Sequence, residues 1–216
     1  MDVPLDDLQI DEIWSKIYCS ARVQKEKNLS PEYGDSWTYI CIDRPTKLIP
    51  AHFVGRRDTE DTNRFLQKVK RAVDTSRRFQ VSTDGWAAYR YGVPFELGSN
   101  VDFGMLVKKY ASSQEVTRYS PAQIISIEKR AVFGTPDPDR ICTSHIETAN
   151  QKLRHLRRFT RLTNGQSKSL RHHVAMQAIY FANYNFCRKH GSLNNCTPAM
   201  AAGITDRVWN LLELLG

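Results

Sequence analysis

The sequence predicts an α/β fold: a mixed five-stranded sheet with helices on both faces, an inserted hairpin-like segment and helices toward the C-terminal end. Three observations predict it. The 216 residues are 41% hydrophobic and 25% charged, enough apolar material for a sizeable core and too much for a disordered chain. Three runs with strand character follow one another near the start, joined by turn-rich segments. After them helical and strand patterns alternate, as crossover units do in a sheet that becomes parallel.

Taken in order, Leu8 to Tyr18 alternates apolar and polar residues and reads as the first strand. A polar stretch through Pro31 and Gly34-Asp35 leads to a second strand, Trp37 to Ile42. Asp43-Arg44-Pro45-Thr46 is a tight turn, and Lys47 to Gly55 a third strand. Asp58 is a suitable N-cap for a helix whose Phe65, Leu66, Val69 and Val73 share a stripe. Phe79 to Thr83 is a short strand ending at Asp84-Gly85, Trp86 to Leu97 a helix interrupted by Pro94, and Val101 to Val107 the fifth strand. Ile124 to Phe133 reads as hairpin material within an insertion at about 108–140. Helices follow near Ser144, over Leu170 to Cys187, and after Thr197-Pro198. Residues 1–165 thus read as the core and 166–216 as a helical extension packed on it.

Composition excludes several classes. No uncharged apolar run approaches the ~18 residues of a membrane span, and Met1-Asp2-Val3-Pro4 lacks the character of a signal peptide. Five cysteines scattered from Cys19 to Cys196 make no disulfide framework, so a soluble cytoplasmic protein is expected. Between Thr148 and Thr205 there is no Asp or Glu but nine Lys or Arg, leaving 22 basic against 23 acidic residues elsewhere. One basic tract on a near-neutral body is the electrostatic footprint of a polyanion-binding protein, or else a solvated helical face.

Strand order gives the carboxylates their meaning. Three antiparallel strands followed by crossovers are the order of the ribonuclease-H-like fold, in which the first and fourth strands are neighbours. Asp11 lies mid-way along the first strand between Ile10 and Ile13, Asp84 where the fourth strand ends, and Glu147 in the first turn of the Ser144 helix. Three oxygen donors favour Mg²⁺ or Mn²⁺, and two such ions ~3.5–4 Å apart suit in-line phosphodiester displacement. Each acid also has a plain reading: a solvent-facing strand residue, an Asp-Gly turn, and a capping box from Ser144 to Glu147. At 100° per residue, Arg154 and Arg158 fall ~20° from Glu147, with Asn150 beside them. Asn150, Lys152, Arg154, Arg158 and Arg161 are therefore expected to face phosphates. Cys142 with His145 and Cys187 with His190 make a weaker zinc alternative, and Asp43 is explained by its turn.

Several segments resemble a known family. Asp-Glu-Ile-Trp-Ser (11–15), Gly-Asp-Ser-Trp-Thr-Tyr-Ile (34–40), Ser-Thr-Asp-Gly-Trp-x-x-Tyr (82–89) and Pro-Asp-Arg-Ile-Cys-Thr-Ser-His-Ile-Glu (138–147) are similar to blocks of insertion-sequence transposases of the IS-one type. Phe-Thr-Arg-Leu-Thr-Asn (159–164), Tyr-Asn-Phe-Cys-Arg-x-His (184–190) and Thr-Pro-Ala-Met-Ala-Ala-Gly (197–203) extend the likeness over nearly the whole chain. The resemblance implies that Asp11, Asp84 and Glu147 are a DDE triad holding two Mg²⁺ or Mn²⁺ ions. It implies cleavage and strand transfer of double-stranded DNA at element ends and target, by a homo-oligomer in a synaptic complex at a bacterial or archaeal nucleoid. Family members usually carry an N-terminal zinc-finger and helix-turn-helix reader, which is expected to be absent here and supplied by a separate polypeptide. A catalytically inactive DNA-binding remnant and a host nuclease of the same fold are the alternatives.

Overall fold

The computed structural model describes residues 3–110, 124–159 and 165–216. Among them, six strands form one mixed sheet flanked by seven α-helices. Strands β1 (Asp7–Ile17), β2 (Gly34–Asp43) and β3 (Ala51–Gly55) form an antiparallel meander. β4 (Phe79–Thr83) returns beside β1 and parallel to it, and β5 (Val101–Tyr110) lies parallel to β4. β6 (Ile124–Phe133) joins antiparallel to β5, so the order across the sheet is β3-β2-β1-β4-β5-β6. Helix α1 (Ala21–Glu26) stands between β1 and β2, and α2 (Thr59–Ala72) and α3 (Ala87–Leu97) are the crossovers on either side of β4. After the sheet come α4 (Ser144–Arg154), α5 (Leu170–Phe186) and the short α6 (Pro198–Ala201) and α7 (Leu211–Leu215).

Alternation along the strands sorts side chains between two apolar layers. Leu8 and Ile10 of β1 with Tyr39 and Cys41 of β2 meet Phe65, Leu66 and Val69 of α2 and Tyr89 and Val93 of α3. One residue out of step, Ile13 of β1 with Ile40 and Ile42 of β2 meet Ile146 and Leu153 of α4, Phe159, and Phe181 and Tyr184 of α5. The five residues of β4 are all buried, as expected of a parallel strand covered on both faces. Polar bonds tie α5 to β2 and the turn after it: Gln177 donates to Thr38 at 2.9 Å, and Asn185 donates to the Ile49 carbonyl at 2.8 Å.

Three sequence expectations need correction, and two short helices were not foreseen. The sheet has six strands, because β5 runs on past Val107 to Tyr110 and its edge is paired by Ile124–Phe133, with Leu106 opposite Lys129. Strand β3 starts at Ala51, not Lys47: Lys47 takes a left-handed φ of 61° in the turn closed by Asp43, and Pro50 has no N–H to give a ladder. Helix α3 is continuous through Pro94, which falls in its last turn, where only one intrahelical bond is lost. Helices α1 and α7, of six and five residues, are too short to show a period; Ser20 and Asn210 cap them.

Leu153, 1% exposed, fills the layer between α4 and β1. Leu153→Ala is expected to lower unfolding free energy by about 2–5 kcal/mol in urea titration. A loss well under about 1 kcal/mol would show that α4 does not seal that face.

Candidate active site

The site begins with a difference in strand length. β4 ends at Thr83, opposite Ile10, so β1 continues from Asp11 with an open edge on that side. The Glu12 N–H points to this edge and donates to the Asp11 carboxylate at 2.9 Å. Asp11 and Glu12, as strand neighbours, leave opposite faces of the sheet, and the end of β4 opens a notch where both can reach Asp84. Among the described residues, Asp11, Glu12 and Asp84 each present a carboxylate oxygen within 4.8 Å of the other two. Asp84 is fixed by its own turn, accepting the Trp86 N–H at 2.9 Å.

The surroundings treat the three acids differently. Asp11 accepts the Asn150 amide at 2.8 Å from α4. Burial, reinforced by the charges of Glu12 and Asp84, pushes its carboxyl up to about 7. Glu12 is almost fully buried and held by two donors, Tyr89 Oη at 2.8 Å and Arg57 Nε at 2.6 Å. Burial and then Asp84 raise its pKa, while Tyr89 and Arg57 pull the other way. The Arg57 guanidinium lies between the rings of Trp37 and Trp86, 5.0 and 4.2 Å from their centroids, and 3.9 Å from Asp84. Glu12 is thus already matched, whereas Asp11 and Asp84 keep oxygen lone pairs facing a cavity of about 530 Å³.

Glu147 lines the same cavity from α4 but lies outside the three-carboxylate cluster. It is held by Lys108 of β5 and by Thr143 Oγ1, which donates at 2.6 Å. The capping-box reading is not what forms: Gln9 of β1 accepts the His145 and Ile146 N–H groups at 2.9 and 3.2 Å, so the sheet itself caps α4. Glu147 is left to face the cavity.

The expected phosphate-facing residues divide. Asn150 is buried behind Asp11 rather than exposed beside Arg154, because the α4 face carrying it is the one packed on β1. Lys152 lines a second cavity on the other side of α4. Arg154 is exposed at the end of the helix. The helix stops there, and Arg158 sits in a 3-10 turn that sends Phe159 into the core, so it does not continue the Glu147 stripe. Arg161 lies outside the described residues. Sequence reasoning missed Glu12, Arg57 and Lys108 as members of the site. For Glu12 the signal was available: strand alternation puts it on the inward face with Leu8 and Ile10, where a charge needs partners. No model of a known protein family matches the chain, and no curated protein matches it either.

The Asp11 shift has a measurable consequence. A carboxyl whose folded pKa of about 7 exceeds its ordinary value of 3.8 makes the folded state bind the extra proton between those values. Its contribution to stability is complete below about pH 4 and is lost as pH rises through about 7, by up to about 1.4 kcal/mol per pH unit. His52 and His173, depressed to about 4 by burial, act in the opposite sense, so the Asp11 effect is read as a difference: from about pH 5 to 7.5 the thermal midpoint of Asp11→Asn should rise relative to that of the wild type. At the upper pH, added Mn²⁺ should raise the midpoint of the wild type and leave that of Asp11→Asn in place.

Proposed function

We propose that this protein is the catalytic domain of a DDE-type DNA transposase, cutting and joining phosphodiester bonds with Mg²⁺ or Mn²⁺. The observation that carries this reading is the convergence of Asp11 and Asp84, 73 residues apart in sequence, on one cavity that Glu147 also lines. The order β3-β2-β1-β4-β5 with an antiparallel first three strands supports a ribonuclease-H-like arrangement, with β6 as an addition at the edge. The resemblance of the Asp11, Asp84 and Glu147 segments to insertion-sequence transposases supplies the substrate, double-stranded DNA, and a synaptic homo-oligomer.

The donor set suits hard divalent cations. Clustered carboxylate oxygens, one group poised near neutral pH and two lacking full cationic pairing, fit oxygen-seeking ions better than thiol- or imidazole-seeking ones. Asp11 and Asp84 would hold the ions, and Glu147 would complete the second site after exchanging its bond to Lys108. Bound ions supply an activated attacking oxygen and charge neutralisation at the leaving one. The chain's own groups do the rest. Asn150 orients the Asp11 carboxylate, and Glu12 anchors Arg57 beside Asp84. Lys108, displaced from Glu147, is in place to meet a phosphate oxygen at the cavity rim.

A second reading, a remnant that binds DNA without cutting it, draws on the Glu147–Lys108 pair, which keeps the third acid out of the cluster. Nicking and joining of DNA carrying element ends separates the two. With Mg²⁺ or Mn²⁺ the wild type is expected to give nicked and joined products, and Asp84→Asn and Glu147→Gln to lose about 10³-fold or more in rate. DNA binding without any metal-dependent product would leave the remnant, and hydrolysis without joined molecules would indicate a nuclease.

A further inference from the structure

Helix α4 has a second concave side. Opposite the acidic cavity, a pocket of about 220 Å³ opens between α4, the turn after β2 and the segment that follows α5. Lys47, His145, Lys152 and His190 line it together with the hydroxyls of Thr148 and Ser192. No carboxylate is among its lining residues. Among the described residues neither Lys47 nor Lys152 forms an ion pair, whereas nearby Arg44 is neutralised by Asp7 at 2.6 Å. Asp43, the nearest acid in sequence to Lys47, spends its oxygens on the Thr46 N–H and hydroxyl, at 2.9 and 2.6 Å, and on the Asp7 N–H.

The pocket is built rather than incidental. Lys47 is held in a left-handed conformation, φ 61°, by the Asp43 turn, and its ammonium is tethered to the Arg44 carbonyl. The His190 ring packs edge-on against Tyr184, with centroids 4.8 Å apart. Burial, and then the positive field of Lys152, Arg188 and Lys47, depresses the basicity of His190. Asp43 and Asp7 act on Lys47, and Asp7 on His145, from behind the wall, but no carboxylate faces the hollow itself, so its cations repel one another and an anion seated there relieves them.

We propose that this pocket seats a phosphate group of the DNA strand whose neighbouring segment lies in the Asp11–Asp84 cavity. The inference rests on the function proposed above and deepens it by giving the strand a path. His145, Thr148 and Lys152 fall on one side of α4, about 100–160° round the helix from Glu147. A strand crossing this helix, about 10 Å across, meets the acidic cavity on one flank and the basic pocket on the other. Ammonium, imidazole and hydroxyl donors around one hollow match the oxygens of a phosphodiester, which is held here without any reading of base sequence.

The test is a salt titration of binding to a fluorescent random-sequence DNA duplex with Ca²⁺ in place of a catalytic ion. The proteins are the full chain, Lys47→Ala/Lys152→Ala, the charge-keeping Lys47→Arg/Lys152→Arg, and Lys70→Ala on the distant helix α2. Thermal midpoints check folding; should the Ala pair unfold, exposed Lys152→Gln alone is expected to weaken binding and lower the slope by about one contact's worth, and no change in it would overturn the pocket. Expected is an affinity loss of about tenfold for the Ala pair, with the log–log salt slope smaller by about 0.9 per lost contact, and recovery in the Arg pair. Lys70→Ala should stay within about twofold of the wild type. Unchanged affinity and slope in the Ala pair, from a wild type that binds and nicks, would overturn the pocket and leave the transposase reading standing. A wild type that neither binds nor nicks DNA would overturn both. In a parallel titration with inorganic phosphate, binding that needs Lys47 and Lys152 without any DNA affinity would replace the strand with a small phosphate.

Discussion

Helix α4 is fastened to strand β1 by side chains, not only by apolar contact, and the candidate site depends on that fastening. Gln9 caps the helix by accepting two of its first N–H groups, and two residues further along the strand Asp11 accepts from Asn150. Gln9, Asp11 and Ile13 share one face of β1, so the cap, the carboxylate and the apolar seal of α4 are set by a single register. A slip of one residue would turn all three away from the helix. Because Gln9 takes the capping role, Thr143 is free to bond Glu147 instead, which holds that acid at the cavity wall.

The electrostatics follow from the same geometry. Ending β4 at Thr83 exposes the edge of β1 where Asp11 and Glu12 sit, and a strand edge without a partner is a place where polar groups gather at low cost. The protein neutralises part of the resulting charge internally. Glu12 is fully engaged by Arg57 and Tyr89, and the two tryptophans beside Arg57 keep its guanidinium from swinging away. Asp11 is left with an amide and a backbone N–H, neither of which carries charge. Burial raises both carboxyls, but only Glu12 has Tyr89 and Arg57 to offset it, so Asp11 is poised near neutrality while its neighbour is locked into the framework.

Much of this was readable in the chain, and the unread part has a common cause. The succession of the first five strands and the helix caps at Asp58 and Thr197 follow from local periodicity and turn chemistry, whereas the meeting of Asp11 with Asp84 was expected only through the strand order of the ribonuclease-H-like fold. So does the plain reading of Asp43, whose carboxylate closes its own turn. What local pattern does not carry is pairing across distant elements. Arg57 meets Glu12 from 45 residues away and Lys108 meets Glu147 from 39, and nothing in the immediate neighbourhood of either cation distinguishes it from a solvated one. The placement of Asn150 and Arg158 on one exposed stripe with Glu147 failed at the same boundary. Helical geometry gives angles about an axis, but packing decides which angle faces the sheet and where the helix stops.

Helix α4 therefore divides two kinds of surface with a short sequence. Ile146, Ala149 and Leu153 point to the sheet, Glu147 to the acidic cavity, and His145, Thr148 and Lys152 to the basic pocket. The apolar stripe fixes the rotation of the helix, so the two polar flanks have no independent freedom: moving the carboxylate toward Asp11 moves the cations with it. A phosphodiester strand is a repeating anion, and an acidic cavity can receive one only if cations on its far and near sides hold the neighbouring phosphates against the local repulsion. Arg57 and Lys108 stand on the cavity side of α4 and Lys47 and Lys152 on the other. Negative charge thus gathers in the Asp11–Asp84 cavity and positive charge on both sides of α4, and the docking of one helix on one strand sets all of these positions.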